Sequence, residues 1–383
     1  MTRRIIQFGT SRFLQAHVDL FVHEARQAGQ DVGPIAVVQA SGSPARAGRV
    51  AAFGRPEGYP VVIRGLEAGQ PVERTVTVTS VDRGLSAARD WEAVIALFAT
   101  EAETVVSNMG DAGYAVDAAD RTPALLQSAG VPVSFAGKLT VLLWRRWEAG
   151  GAKLVMLPCE LINRNGAVLR DTVTGLAREA EAPADFVGWL NGSVIWANTL
   201  VDRIVSEPIE PVGAVAEPYA LWAIERQPGL EPPCLHPAIV MADDLDPFER
   251  LKLHILNLGH TVLADIWMEE ARDKGETVRA ILGDAEIRAR LETLYEREVI
   301  PGFAARGSEA AAISYVGETM DRFRNPFLDH RIADIAQNHA LKVERRIAAF
   351  LAWVAAAGRP ASAPTLDAIV ARNRRDQTGK TVP

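Results

Sequence analysis

Short runs of apolar and β-branched residues recur along the first two thirds of the chain, separated by stretches with helical periodicity. Strands that alternate with helices are typical of a parallel sheet covered by helices on both faces. We therefore predict an α/β domain with a mostly parallel, doubly wound sheet. Its predicted strands are residues 4–8, 35–39, 104–107, 153–157, 194–196 and 239–241.

The pattern changes twice along the chain. Residues 73–81 alternate Thr with Val, which indicates an edge strand with one wetted face, either parallel or antiparallel. After Asp246 almost no β-rich run remains, and an Ala/Pro-rich loop is expected at 357–364. We predict an α/β domain over residues 1–245 and an all-α domain over 246–383. The predicted helices are residues 247–270, 284–298, 309–322, 330–355 and 366–375.

Length and composition narrow the functional class. The chain has 383 residues, 48% of them hydrophobic, which is enough for two cores. A formal charge of -7 argues against a nucleic-acid partner but leaves an anionic small-molecule substrate open. Two cysteines provide neither a disulfide framework nor a zinc lobe, and neither a signal peptide nor a membrane span is expected. We expect a cytoplasmic, metal-independent protein, either a monomer or a homodimer.

The first predicted strand leads directly into Gly9, Thr10, Ser11, Arg12 and Phe13, which begin a predicted helix. A glycine allows a tight turn here, and a helix N-terminus presents free N–H groups to phosphate. Only one glycine of the GxGxxG pattern is present, so an ordinary strand-to-helix turn is the alternative. The segment nevertheless predicts a dinucleotide site in a Rossmann-type domain.

The loop after the second predicted strand bears on the choice of dinucleotide. It contains Gln39 and Ser41 but no acidic residue that would bind the ribose diol of NAD. Ser41, Ser43 and Arg46 would suit the 2′-phosphate of NADP, although a solvated surface arginine is the more common outcome for Arg46. We expect NAD as the cofactor, with NADP as the open alternative.

The segment 246–264 carries the most distinctive chemistry. At roughly 100° per residue, Glu249, Lys252, Asn257 and His260 fall within an arc of roughly 140° on one helix face. Reduction of a carbonyl by hydride needs a proton donor and hydrogen-bond donors at the oxygen, and these side chains provide both. The structural alternative is a capped, half-exposed helix with a core histidine. Neither a Tyr-x3-Lys pair, an HExxH motif nor a GxSxG elbow occurs.

The spacing Lys252-x4-Asn257-x2-His260 resembles the lysine signature of the mannitol dehydrogenase family, the polyol-specific long-chain dehydrogenases and reductases. Further segments resemble blocks of that family in the same order. These are FGTSRFLQAHVD (8–19), SNMGDAGY (107–114), SFAGKLT (134–140), LPCELINRNG (157–166) and NTLVDRIV (198–205). In the first of them Ser11 replaces the second glycine of the family turn and Gln15 replaces its arginine.

The resemblance implies a Rossmann-type domain, a helical domain, an active site in a cleft between them and no metal. It implies that Lys252 is the general acid in reduction and the general base in oxidation, while Asn257 and His260 hold the reacting oxygen. Asp202 and Glu249 would act as proton-relay groups. On the cofactor side the resemblance adds Ser107 and Asn108.

Within the family, PCELI (158–162), EPYALWAIE (217–225) and RFRNPFLDH (322–330) resemble the hexuronate-reducing branch, the tagaturonate and fructuronate reductases. Leu161 stands where the mannitol-oxidising branch has an asparagine. Arg322, Arg324 and His330 would then contact a substrate carboxylate, with capping and surface ion pairs as their alternative. A polyol 2-dehydrogenase, a polyol-phosphate dehydrogenase and a catalytically silent nucleotide-binding protein are the other hypotheses.

Overall fold

The computed structural model describes residues 4–43, 47–110, 113–358 and 362–379. Its strands are β1 (Arg4–Phe8), β2 (Ile35–Gln39), β3 (Tyr59–Glu67), β4 (Gln70–Val78), β5 (Val81–Ser86), β6 (Ala102–Ser107), β7 (Leu154–Pro158), β8 (Val194–Trp196), β9 (Thr199–Asp202), β10 (Val205–Pro208), β11 (Ala214–Ala216), β12 (Leu221–Glu225) and β13 (Ile239–Ala242).

The helices of the first 245 residues are α1 (Arg12–Gln15), α2 (Val18–Gln27), α3 (Ala47–Phe53), α4 (Trp91–Thr100), α5 (Phe135–Glu148), α6 (Asn165–Glu179) and α7 (Ala184–Gly192). After Leu245 the α-helices are α8 (Asp246–Leu251), α9 (Asn257–Glu269), α10 (Val278–Ile281), α11 (Ala285–Leu294), α12 (Ile300–Ala304), α13 (Glu309–Phe323), α14 (Ile332–Ile335), α15 (His339–Val343), α16 (Ala349–Ala355) and α17 (Pro364–Gly379). π-Helical turns join α8 to α9, α11 to α12 and α15 to α16, at Lys252–Leu256, Tyr295–Val299 and Glu344–Ala348.

A parallel sheet with the order β5-β2-β1-β6-β7-β8 forms the centre of the α/β part. Every pair of neighbours in this sheet is parallel. This is the Rossmann strand order, and it reverses between β1 and β6, the point at which such sheets bind their ligands. The predicted fold class is confirmed: a Rossmann-type sheet followed by a helical region.

Two of the predicted strands lie elsewhere. β13 pairs with β12 in a separate three-stranded sheet rather than in the doubly wound sheet. The segment predicted as one edge strand, 73–81, is split between the end of β4 and the start of β5, which belong to different sheets. β4 follows β3 through a hairpin turn at Ala68 and Gly69, both with positive φ, and such a tight turn leaves no alternation signal of its own.

Both faces of the parallel sheet are buried. Ile6 and Phe8 of β1 pack into one apolar cluster, and Ile5 of the same strand packs into the cluster on the opposite face. A strand covered on both sides has no need to alternate polar with apolar residues. This explains why the strands of this sheet were visible in the sequence as continuous apolar runs.

The helical region has its own core, built around buried side chains of α9, α11 and the π turns. The predicted helix 330–355 is wrong in one respect: it is interrupted between α14 and α15, where Asn338 has a left-handed conformation with φ 55°. Apolar spacing continues across this break, so periodicity alone did not reveal it. No helix in the described ranges is long and apolar enough to cross a membrane.

The chain divides into two compact units. The main division falls between Leu245 and Asp246. The second unit, called the helical unit below, also includes Arg64–Glu73 and Glu217–Tyr219. The domains expected from the sequence, residues 1–245 and 246–383, remain a prediction.

A buried acid lies in the core of the first unit. Asp19 of α2 accepts a hydrogen bond from the Tyr59 hydroxyl at 2.6 Å, and its Oδ1 atom has no hydrogen-bond partner among the described residues. Burial raises the pKa of Asp19 from 3.8 to about 7, against the smaller lowering effect of the bonds from Tyr59 and Gln7. The folded protein therefore favours the neutral acid.

This acid predicts how stability depends on pH. The folded state binds the Asp19 proton more tightly than the unfolded state, so its contribution is fully present below pH 4 and is lost as the pH rises through 7. Over this pH range the Asp19 proton changes the free energy of unfolding by on the order of 4 kcal/mol. We expect urea unfolding of the Asp19→Asn variant to depend less on pH between 4 and 7 than that of the wild type. If the free energy of unfolding depended on pH in the same way in both proteins, a neutral Asp19 would be refuted.

Candidate functional site

The turn after β1 contains a glycine that its backbone geometry requires. Gly9 has φ 116°, and a Cβ placed on it would lie 2.6 Å from the Asn108 carbonyl oxygen. Ser11 caps α1 by accepting a hydrogen bond from the Leu14 N–H. Only a glycine fits where the end of β1 approaches the Asn108 carbonyl this closely, and the N-terminus of α1 follows two residues later. The turn therefore fits a pyrophosphate group.

The helix predicted after this turn is shorter than expected. α1 ends at Gln15, and α2 begins only at Val18. The Gln15 amide bonds to the Thr10 carbonyl at 3.2 Å and the Gly213 N–H at 2.8 Å, which fixes the turn from within the first unit. Arg12 is exposed and Phe13 stacks on His17 with ring centroids 4.7 Å apart.

One residue beside this turn was missed by the sequence analysis. Arg49 of α3 donates to the Thr10 carbonyl at 3.4 Å and forms an ion pair with Glu210 at 2.9 Å. Its positive charge therefore lies next to the proposed phosphate position. Nothing in the local sequence distinguishes Arg49 from the neighbouring surface arginines.

The loop after β2 is organised by Gln39. This buried side chain donates to the Ser43 carbonyl at 3.0 Å and to the Ser41 hydroxyl at 3.4 Å. Its amide N–H group is therefore bonded within the loop. Arg46, which we named as a possible 2′-phosphate contact, lies outside the described residues.

At the ends of β6 and β7 the structure reveals a buried carboxyl group, Glu160. It accepts hydrogen bonds from the Ser107 hydroxyl at 3.0 Å, the Tyr114 hydroxyl at 2.8 Å and the Met109 N–H at 3.1 Å. Burial raises the pKa of Glu160 despite these bonds. Asn108 likewise donates to the Cys159 carbonyl, at 2.8 Å. Thus Ser107 and Asn108, predicted as cofactor contacts, direct their side chains to the end of β7.

Leu161, directly after Glu160, has a relative exposure of 80%. An exposed leucine at this edge of the sheet offers no hydrogen bond to a substrate oxygen. Asp202 is buried on β9 of the three-stranded sheet in the first unit. Its predicted relay role for Lys252 remains a prediction.

In the helical unit, one continuous helix is formed by α8, a π turn and α9, and it contains Glu249, Lys252, Asn257 and His260. The Asn257 N–H donates both to the Leu253 carbonyl, four residues earlier, and to the Lys252 carbonyl, five residues earlier. This π turn corrects the predicted angular arrangement, which assumed α-helical geometry throughout. One inserted residue rotates Asn257 and His260 back by roughly 100°, which narrows the arc of the four residues from roughly 140° to roughly 80°.

The environments of these four side chains differ. Glu249, Lys252 and Asn257 are half-buried. Among the described residues, none forms a hydrogen bond with the side-chain amide of Asn257, whose backbone carbonyl accepts from Arg346. The amide is therefore available to bind a substrate oxygen.

His260 is buried between aromatic rings, with centroid distances of 4.4 Å to Phe323 and 5.1 Å to His330. Burial lowers the pKa of His260 well below its usual value, and the positive groups of His330, Arg322, Arg346 and Lys342 lower it further. The imidazole is therefore neutral at neutral pH. A neutral imidazole donates one hydrogen bond and accepts another.

The three predicted carboxylate contacts have different surroundings. Arg322 forms a buried, two-pronged ion pair with Glu217, at 3.0 Å from Nε and 2.9 Å from Nη2, and lies over the Tyr219 ring. Its fork is therefore already bonded to a carboxylate, and its contact with a substrate carboxylate stays a prediction. Arg324 is exposed and lines a different surface depression, together with Asp329. Only His330 is brought next to His260.

Lys342, on α15, was missed by the sequence analysis. It donates to the Ile335 carbonyl at 2.7 Å, and burial and the charge of Arg346 lower its pKa. A single lysine in a helix rich in charged residues gives no sequence signal. In the described ranges, no group of three or more His, Cys, Asp or Glu is arranged to hold a metal ion.

A glycine turn at the switch point of a Rossmann-ordered sheet, followed by a helical unit with a lysine, an amide and a histidine on one face, defines a nucleotide-dependent oxidoreductase fold. The mannitol dehydrogenase Rossmann domain model matches residues 3–232, and the mannitol dehydrogenase C-terminal domain model matches residues 244–379. The chain belongs to the mannitol dehydrogenase family. The family and the oxidoreductase class inferred from the sequence are therefore confirmed.

Among similar curated proteins is the altronate oxidoreductase of Klebsiella pneumoniae subsp. pneumoniae. It is 33% identical over 408 residues, which covers 99% of this chain and 82% of the relative. The altronate oxidoreductase of Bacillus subtilis (strain 168) is 30% identical over 369 residues, covering 90% of this chain and 73% of the relative. The chain is thus similar over most of its length to the hexuronate branch.

Two solved structures share the fold. A D-sorbitol dehydrogenase in substrate-free form has a TM-score of 0.73 with 21% identity, covering 94% of this chain and 83% of its own. The Pseudomonas fluorescens mannitol 2-dehydrogenase, in a ternary complex with NAD and D-mannitol, has a TM-score of 0.70 with 19% identity, covering 97% and 79%. At these identities the likeness concerns the fold.

Proposed function

We propose that this chain is an NAD-dependent reductase of a keto-sugar acid, of the tagaturonate or fructuronate type, and that it also catalyses oxidation of the corresponding aldonate. The observation that carries the proposal is the narrow polar face of Lys252, Asn257 and His260 in the helical unit. The similarity to altronate oxidoreductases over most of the chain supports an acid as substrate.

The first unit would hold the cofactor. Gly9 allows the tight turn between β1 and α1, and the backbone N–H groups after Ser11 would bind the pyrophosphate. When bound, NAD supplies or accepts the hydride. No acid is present at residues 39–43 to select the ribose diol, so NADP remains an outcome for the experiment to decide.

The helical unit would supply the proton and stabilise the charge on the oxygen. Lys252 donates a proton to the carbonyl oxygen in reduction and removes it from the hydroxyl in oxidation. The Asn257 amide and the neutral imidazole of His260 donate hydrogen bonds to the same oxygen. Glu249, one turn before Lys252, would pass the proton to solvent, and Asp202 is a second candidate for this relay.

The charge of the substrate is supported by the positive groups around His260. Lys342 and Arg346 both lower the pKa of this histidine, whereas the charge of Arg322 is compensated by Glu217 and burial lowers the pKa of His330. Positive charge near the reacting oxygen attracts a carboxylate. Leu161 supplies no amide at the position where the mannitol-oxidising branch has one, which shifts the binding of the oxygen to Asn257 and His260.

A substrate panel tests the proposal. The wild-type protein is assayed with D-tagaturonate, D-fructuronate, D-fructose and fructose 6-phosphate, each with NADH and NADPH. We expect kcat/KM for one of the uronates to exceed that for fructose by at least about 100-fold, since a desolvated charge pair contributes several kcal/mol. Faster turnover of fructose or of its phosphate would favour the corresponding polyol enzyme. NADH binding without turnover of any of the four would favour a silent nucleotide-binding protein.

A further inference from the structure

The helical unit contains π-helical turns as well as α-helices. In its described part, three helices each contain one π-helical turn, at Lys252–Leu256, Tyr295–Val299 and Glu344–Ala348. Each turn is closed by a backbone bond between residues five apart. π-Helical turns are rare and occur frequently at functional sites. The first of these turns contains Lys252 and ends directly before Asn257.

Side chains of the second and third π turns donate hydrogen bonds to the helix that contains the first π turn. The Tyr295 hydroxyl donates to the Ile255 carbonyl at 3.0 Å. The Arg346 guanidinium donates to the Asn257 carbonyl at 3.2 Å and to the Thr261 hydroxyl at 3.1 Å. The Ile255 carbonyl lies in the π turn and the Asn257 carbonyl at the first residue of α9, whereas Thr261 lies one turn further along α9. Both donors therefore bind the segment in which the direction of the helix face is set.

The contacts depend on close packing. Tyr295 is fully buried, and a Cβ added to Gly259 would lie 1.9 Å from its hydroxyl oxygen. Gly259 thus leaves the space through which Tyr295 reaches the Ile255 carbonyl. Among the described residues, both side-chain hydrogen bonds of Arg346 go to α9. The backbone carbonyl of Arg346 forms a hydrogen bond with the His254 ring at 3.0 Å.

We propose that Tyr295 and Arg346 are positioning residues for the proposed reaction, because they hold the π turn that places Lys252 and Asn257 on the same face. The assignment rests on the proposed function in so far as Lys252 is taken as the acid. Without the π turn, Asn257 would rotate by roughly 100° relative to Lys252. The proton donor Lys252 and the Asn257 amide would then no longer reach the same substrate oxygen.

The experiment uses the full-length Tyr295→Phe and Arg346→Gln variants, with Arg346→Lys as the conservative change. Each has a matched control. Glu298→Gln lies in the same π turn as Tyr295 but loses bonds to the N–H groups of Thr365 and Leu366. Arg345→Gln removes an exposed guanidinium next to Arg346. The readouts are kcat, KM, and hydrogen–deuterium exchange of the peptide 252–261.

For Arg346→Gln we expect kcat to fall by about 10- to 100-fold, as a misplacement of about 1 Å does, while KM for NADH changes by less than about threefold. Tyr295→Phe should reduce kcat by about tenfold. Peptide 252–261 should exchange faster in both variants. Arg346→Lys should recover part of kcat, and both controls should keep the wild-type kcat and the exchange of this peptide.

Exchange is measured without substrate, so it separates this inference from the proposed function. Unchanged exchange of peptide 252–261 in both variants would overturn the inference even if the enzyme is active on uronates. Faster exchange with unchanged kcat would overturn it too, since the turn would then not position the reacting groups. A wild type inactive on every substrate would contradict the proposed function alone, and exchange would still decide whether Tyr295 and Arg346 hold the turn.

Discussion

Replacing Lys252 with Ala should reduce the turnover of D-tagaturonate with NADH by about 10³-fold or more, because the proton donor for the carbonyl oxygen is lost and general acid catalysis contributes up to about 10⁴-fold. The cofactor turn at Gly9 belongs to the first unit, whereas Lys252 belongs to the helical unit. We therefore expect NADH binding, followed by its fluorescence, to remain within about threefold of the wild type.

Lys274 provides the matched control for this variant. It is an exposed lysine of the same unit, and Lys274→Ala should keep the wild-type kcat and KM. If Lys252→Ala and Lys274→Ala have the same turnover as the wild type, the proton does not come from Lys252. A loss of NADH binding in Lys252→Ala would instead indicate that the change acts through the structure.

Breaking the ion pair between Glu217 and Arg322 should cause a large loss of stability. The two side chains are 2% and 3% exposed, so Glu217→Gln would leave a buried guanidinium without its counterion. Such a change costs about 3–5 kcal/mol. We expect urea to unfold the helical unit of this variant at a clearly lower concentration, measured by circular dichroism.

The ion pair between Arg290 and Glu270 is the control for this measurement. It lies near the surface of the same unit, at 2.8 Å, and Glu270→Gln should cost less than about 1 kcal/mol. Equal losses in Glu217→Gln and Glu270→Gln would contradict the structural role of the buried pair. Replacing both Glu217 and Arg322 with apolar residues of similar volume should restore part of the lost stability.

The sequence predicted the doubly wound sheet well because its strands are buried on both faces and therefore appear as apolar runs, such as β1 and β2. The short strands of the two smaller sheets, such as β9 and β11, have only three or four residues and no such signal. The two small segments that join the helical unit are equally invisible, because their assignment depends on contacts distant in the sequence.

The helix face with Lys252, Asn257 and His260 was found from spacing, but its exact angles were not. A π turn changes the backbone bonding without changing the apolar pattern, so an α-helical projection spread the residues too widely. The ion pair of Arg322 with Glu217 could not be predicted because the two residues are 105 positions apart in the sequence. Glu160 was overlooked although it lies two residues after the end of β7, where polar residues often reach a ligand.

The central claim is that this member of the mannitol dehydrogenase family prefers a keto-sugar acid to a neutral ketose. Competition tests this most directly: the wild-type protein is mixed with equimolar D-tagaturonate and D-fructose and a limiting amount of NADH, and the products are separated. The ratio of products gives the ratio of the two kcat/KM values. We predict that the aldonate forms almost alone. An excess of the hexitol over the aldonate would contradict the claim.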